Sequence, residues 1–130
     1  MDIHKLLTRC RTRNAAIAEM EKLLERTENP KAQAQLLAAL RHGRRMLAAE
    51  QVAIILLTDR LPCMQRDAAR LYFARGRGAG ALARSVGCAP EAVPGLIDRA
   101  WEALGAMSGA QVDGALPGWY LLELDADGVQ

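Results

Sequence analysis

Residues 82–97 read LARSVGCAPEAVPGLI. Leu82, Ala83 and Val86 fall on one face of a helix that stops at Gly87, and a second helix then turns Val93, Ile97 and Ala100 inward. Helices that cross steeply over a short turn need a small residue where they touch and a glycine where the chain bends, and Ala83 and Gly87 fill those places. Cys88 follows as a small apolar residue suited to burial. Pro94 has no N–H to donate and fits only a first turn, so the second helix is expected to start late, between Glu91 and Pro94.

Upstream, Pro62 separates this pair from what precedes it, and a helix is expected from about Met64 to Arg75. Ala68, Leu71 and Tyr72, helped by Phe73, make its inner face, while Arg66, Arg70 and Arg75 lie on or near the outer one. Arg75-Gly-Arg77-Gly-Ala-Gly80 is a basic, glycine-rich connector. It lacks the Lys-Ser or Lys-Thr pair and the preceding apolar strand of a phosphate-cradling loop, so it reads as a flexible turn whose arginines can touch a phosphate backbone.

The stretch from Leu61 to Leu104, about a third of the chain, resembles region four of the bacterial sigma factors without a gap. Leu61-Pro62, Gln65-Arg66, Leu71, Phe73, Gly76, Leu82-Ala83, Val86-Gly87, Val93, Ile97, Arg99-Ala100 and Leu104 carry the resemblance. Domains of the response-regulator type share much of this pattern, and a helical segment ahead of such a domain is similar to the small phage-type late transcription regulators. The resemblance implies a helix-turn-helix that binds DNA, or docks on RNA polymerase or a promoter-bound partner. On that reading Arg84, Glu91 and Arg99 lie near the groove, while Arg66, Arg70, Arg75 and Arg77 contact the backbone. The chain departs from the family in the last helix, where Ala89, Pro90, Ala92, Pro94, Gly95, Leu96 and Asp98 replace polar and basic positions. Base readout needs Arg, Lys, Asn or Gln at that place, so weak sequence specificity and steep salt dependence are expected.

Before Pro62 the chain reads as two helices. Ile3, Leu6, Leu7, Cys10, Ile17, Met20 and Leu24 recur at steps of three and four between Asp2, a capping residue, and the break at Glu28-Asn29-Pro30. Arg9, Arg11 and Arg13 form a basic cluster in this helix, read first as a solvated face. The second helix runs from about Lys31 to Thr58 with a coiled-coil-like stripe of Leu36, Leu40, Leu47, Ile54, Leu57 and Leu61, interrupted by Gly43 and Glu50. Joined by a short turn, the two make an antiparallel hairpin over residues 1–60, ahead of a helix-turn-helix domain at 61–107 and a tail at 108–130. A hairpin has little core of its own, so it must pack on the rest of the chain or on a second copy, and a homodimer is the favoured expectation.

Composition bounds the rest. Ala, Leu, Arg and Glu abound, only five residues are aromatic, and 51% are hydrophobic, which favours an all-α fold. Residues 1–61 carry 11 Lys or Arg against 7 acids, residues 62–109 carry 6 against 4, and residues 110–130 carry none against 4. That distribution permits nucleic-acid binding without demanding it. Cys10, Cys63 and Cys88 have no metal or redox spacing, and His4 and His42 read as isolated surface residues, so neither a metal nor a cofactor is expected. The run from Val52 to Leu57 is too short to span a bilayer, and a soluble, cytoplasmic protein is expected. Past Ser108 the glycines and Pro117 break helical order, and Trp119–Leu124 reads as a short strand or a tucked helical turn. It is an apolar clip that covers the last helix on one reading, ahead of an acidic tail. Asp125, Asp127 and Gly128 lack the remaining ligands of a calcium loop.

No nucleophile has a base at hand and no carboxylates pair, so an enzyme is not expected. Two readings remain: a DNA-binding regulator, and an interaction module that keeps the helix-turn-helix as a scaffold. An exposed apolar patch including Leu96 favours the second, and exposed Arg75, Arg77, Arg84 and Arg99 favour the first.

Overall fold

The computed structural model describes residues 1–126, and all of its regular structure is helical. The expected all-α architecture is present. Helix α1 spans Ile3–Arg26, capped by the Asp2 carboxylate, which accepts from the Lys5 N–H at 3.1 Å. The Asn29 side chain accepts from the N–H groups of Lys31 and Ala32, and Pro30 opens helix α2, Pro30–Leu57. The two form the expected hairpin.

The buried stripe of α2 is Leu40, Gly43, Met46, Ala49, Glu50, Ala53 and Ile54. Gly43 and Glu50 therefore belong to the stripe they were expected to interrupt. A Cβ on Gly43 would stand 3.5 Å from the Ile17 side chain, so the glycine lets α1 and α2 approach closely. Of the leucines expected in the stripe, Leu36, Leu47, Leu57 and Leu61 are only half-buried, and Leu61 lies beyond the end of α2. No residue from 18 to 39 is buried, and the hairpin tip stands clear of the core.

Helix α3, Cys63–Ala69, continues into a π-helical segment, Arg70–Ala74, where an α-helix to Arg75 was expected. The widened turn has a visible cause. The Ala74 carbonyl accepts from Asn14 Nδ2 and Gln51 Nε2, both at 2.8 Å, and the Arg75 N–H reaches back to the Arg70 carbonyl at 3.1 Å. Gly76, at φ 66°, then reverses the chain, and a Cβ there would lie 2.8 Å from that of Asn14. Helices α4, Ala79–Val86, and α5, Val93–Leu104, follow, joined through Gly87 at φ 73° and a 3₁₀ turn at Pro90–Ala92. The late start of α5, with Pro94 in its first turn, is as Pro94 requires.

Two further helices close the fold, α6 at Gly109–Ala115 and α7 at Gly118–Ala126. The segment from 108 is thus more ordered than its glycines suggest. A reciprocal cap starts α6: Gln111 N–H donates to Ser108 Oγ at 3.2 Å and Ser108 N–H donates to Gln111 Oε1 at 2.9 Å. Pro117 marks the break between the two helices. Asp127 and Gly128, of the rejected calcium loop, lie outside the described residues.

One core joins the pieces. Ile3, Leu6, Leu7 and Cys10 of α1 and Met46, Ala53 and Ile54 of α2 form a single cluster with Phe73, Ala100, Leu104, Val112, Leu116, Tyr120 and Leu124. The expected segments 1–60 and 61–107 and the described part of the third, residues 108–126, therefore share an interior. Tyr120, in one cluster with Ala100 and Leu104 of α5, also clips onto α2: its hydroxyl donates to Glu50 Oε2 at 2.5 Å. Glu50, fully buried, also receives Arg13 Nε at 2.8 Å and Arg13 Nη2 at 3.1 Å, so the charge is paired and hydrogen-bonded. A smaller cluster of Ala68, Leu82, Ala83, Val93 and Leu96 holds α3, α4 and α5 together.

Candidate functional site

The sequence places its candidate contacts on α3, the connector, α4 and α5, and the structure sorts them into groups. Arg70 is engaged internally: its Nε donates to Thr58 Oγ1 at 3.0 Å and its Nη2 to the Ile55 carbonyl at 2.8 Å, tying the end of α2 to the π segment. Arg66 is half-buried and pairs with Asp67 at 3.4 Å on its own helix. Neither is a free cation.

Arg75, Arg77, Arg84 and Arg99 are all exposed, and among the described residues none of them forms an ion pair. The guanidinium of Arg84 lies back along α4, 3.7 Å from the point where a Gly80 Cβ would sit. Arg99 lies back over Gly95 in the same way, at 3.5 Å. Glu91 is exposed on the 3₁₀ turn.

The connector carrying Arg75 and Arg77 is anchored by α1. Arg11 Nη1 donates to the Tyr72 carbonyl at 2.7 Å and to the Arg77 carbonyl at 3.1 Å, with its guanidinium 3.6 Å from the centre of the Tyr72 ring. Arg11, expected on a solvated face, is a clamp. With Asn14 and Gln51 on Ala74 and the left-handed Gly76, it fixes both ends of the bend from which Arg75 and Arg77 project. The flexible turn expected here is held. Sequence reading missed this anchor because Arg11 and Asn14 lie some 60 residues before the carbonyls they bind.

Charge divides the surface. No acid lies between Arg70 and Pro90, and α4 starts at Gly78 without a side-chain cap, which leaves its first-turn N–H groups open. The exposed side of α5 and the turn before it differ: Glu91 on the turn and Asp98 and Glu102 on the helix stand against Arg99 alone. Leu96 is buried, 5% exposed, against Ala68, Leu82 and Ala83, so it contributes to no exposed apolar patch of the kind that would favour an interaction module. Trp101 is half-buried and packs on the core, its ring stacked on His4 at 3.8 Å and 4°. His4 Nε2 is also 2.9 Å from the Trp101 carbonyl, so His4 is an interhelical contact where a surface residue was expected. His42 is exposed as expected.

Exposed apolar side chains lie elsewhere. Val52, Ile55 and Leu56, at steps of three and one along α2, form an exposed stripe. No helix among the described residues is long and apolar enough to cross a membrane, and none of their His, Cys, Asp and Glu residues form a group of three that could hold a metal. No protein-family model, curated protein or solved structure matches the chain.

Proposed function

We propose that the chain is a non-enzymatic, cytoplasmic DNA-binding regulator of the helix-turn-helix type, gripping the duplex through its phosphates. The observation that carries this reading is the stretch from Arg75 to Arg84: its three arginines are exposed, it contains no acid, and its connector is anchored to α1 through Arg11. Phosphate contacts from such a run, joined by the open N–H groups of α4, position a module on DNA. Glu91 on the turn and Asp98 and Glu102 on α5 repel phosphate and offer no bidentate partner to a purine, so base readout is weak. In this reading Arg66 and Arg70 support the scaffold, and Arg75, Arg77, Arg84 and Arg99 face the DNA. The exposed stripe of Val52, Ile55 and Leu56 is where a second copy packs to make a homodimer.

The acidic face of α5 favours a second reading, in which the helix docks on a basic patch of a protein such as RNA polymerase. Fluorescence anisotropy with two unrelated duplexes at low salt separates the two. DNA gripping gives dissociation constants that agree within about threefold, and roughly a tenfold loss or more in an Arg75→Ala/Arg77→Ala/Arg84→Ala variant. Absence of binding to either duplex leaves the protein-docking reading.

A further inference from the structure

A groove of about 830 Å³ runs between α1 and α2, within the size range of small-molecule sites. Its walls are apolar along Met20, Ala39 and Gly43, and the stacked His4 and Trp101 rings close one end. Charge on the lining is mainly positive, from Lys5, Arg9 and Arg13, against Asp2. Arg13 is already committed to Glu50, whereas Arg9 has a buried Nε with no hydrogen-bond acceptor. Among the described residues Arg9 forms no ion pair, and a guanidinium on the wall of a groove is matched in the plane by a carboxylate.

We propose that this groove is a binding site for a planar aromatic monocarboxylate. The carboxylate is held by Arg9, and the aromatic body lies between the helices toward the His4–Trp101 stack. Arg9 meets the Tyr120 hydroxyl but no carboxylate, and one such guanidinium beside the neutralised Arg13 suits a single negative charge. Apolar walls and a flat, rigid end suit an aromatic body more than a flexible chain. Gly43 contributes by leaving open the space that a side chain would fill.

Isothermal titration calorimetry of the full chain with 2-naphthoate, 2-naphthamide and decanoate tests the site. The expected result is saturable binding of naphthoate, with the uncharged amide and the flexible decanoate each weaker by roughly tenfold or more. Arg9→Met keeps the aliphatic stem and is expected to abolish the preference for acid over amide. Because Arg9 lies near the buried Tyr120, Ala39→Trp provides an independent check: Ala39 is exposed at the lip of the groove, and the indole fills it, which removes binding of both aromatics. The proposal is overturned if naphthoate fails to bind up to millimolar concentration, if acid and amide bind equally, if decanoate binds best, or if Ala39→Trp leaves naphthoate binding intact.

Discussion

Gly76 and Gly87 both adopt left-handed φ, yet for different reasons, and their substitutions separate the two causes. At Gly87 nothing lies within 4 Å of an added Cβ, so only backbone strain opposes a side chain. Asn tolerates that region, and Gly87→Asn is expected to cost less than about 1 kcal/mol. At Gly76 the Cβ would lie 2.8 Å from Asn14, so Gly76→Ala adds a clash to the strain and is expected to cost roughly 2–4 kcal/mol. Urea unfolding of both variants reads the difference, and equal losses would remove the special role given to the Asn14 contact. Burial, and then Glu50, pushes the Cys10 thiol up to about 12 from an ordinary 9.0. Tyr120 is raised too, by burial and then by its bond to Glu50. A raised pKa in an acid means that the unfolded chain loses its proton first. Stability is therefore full below about pH 9 and falls as pH climbs toward the folded values. For Cys10 the slope is at most about 1.4 kcal/mol per pH unit, and Cys10→Ala is expected to flatten the decline between pH 9 and 12. An unchanged slope in that variant would show that the thiol ionises freely in the fold.

At the scale of the element, α4 and α5 were the most legible part of the chain, because their folding is local: Leu82, Ala83, Gly87 and Val93 settle the turn within a dozen residues. Leu96 stood open between core and partner, because apolar side chains at 93, 96, 97 and 100 make a stripe wide enough to leave its inward edge undecided. Packing against Ala68 and Leu82 decides it. Leu96→Ala is therefore expected to cost roughly 2–4 kcal/mol in urea unfolding. Ile55→Arg, on the exposed stripe of α2, is expected to leave the monomer's stability within about 0.5 kcal/mol. Sedimentation of the same variant tests the proposed second copy, which requires wild-type chain to sediment as a dimer and the variant as a monomer. Helix α6 carried a legible signal in its Ser108-to-Gln111 capping box. Helix α7 did not, since WYLLEL is a continuous apolar run that fits a strand or a helix until a partner chooses.

For the whole molecule, what the sequence concealed are the long-range polar contacts that merge its segments. Glu50 looked like an interruption because Arg13 and Tyr120, which make its burial tolerable, lie 37 and 70 residues away. Arg11 looked solvated because its carbonyl acceptors are as remote. These contacts make the hairpin part of the same body as the connector, so the basic run is presented from a fixed platform. The most direct test of the proposed phosphate grip is the slope of log K against log salt concentration for a mixed-sequence duplex. Each phosphate neutralised contributes about −0.9 to that slope, so removing Arg75, Arg77 and Arg84 together is expected to reduce its magnitude by roughly 2–3. If the wild-type chain binds DNA and the triple variant keeps the same slope, the phosphates are held elsewhere and the connector is not the grip.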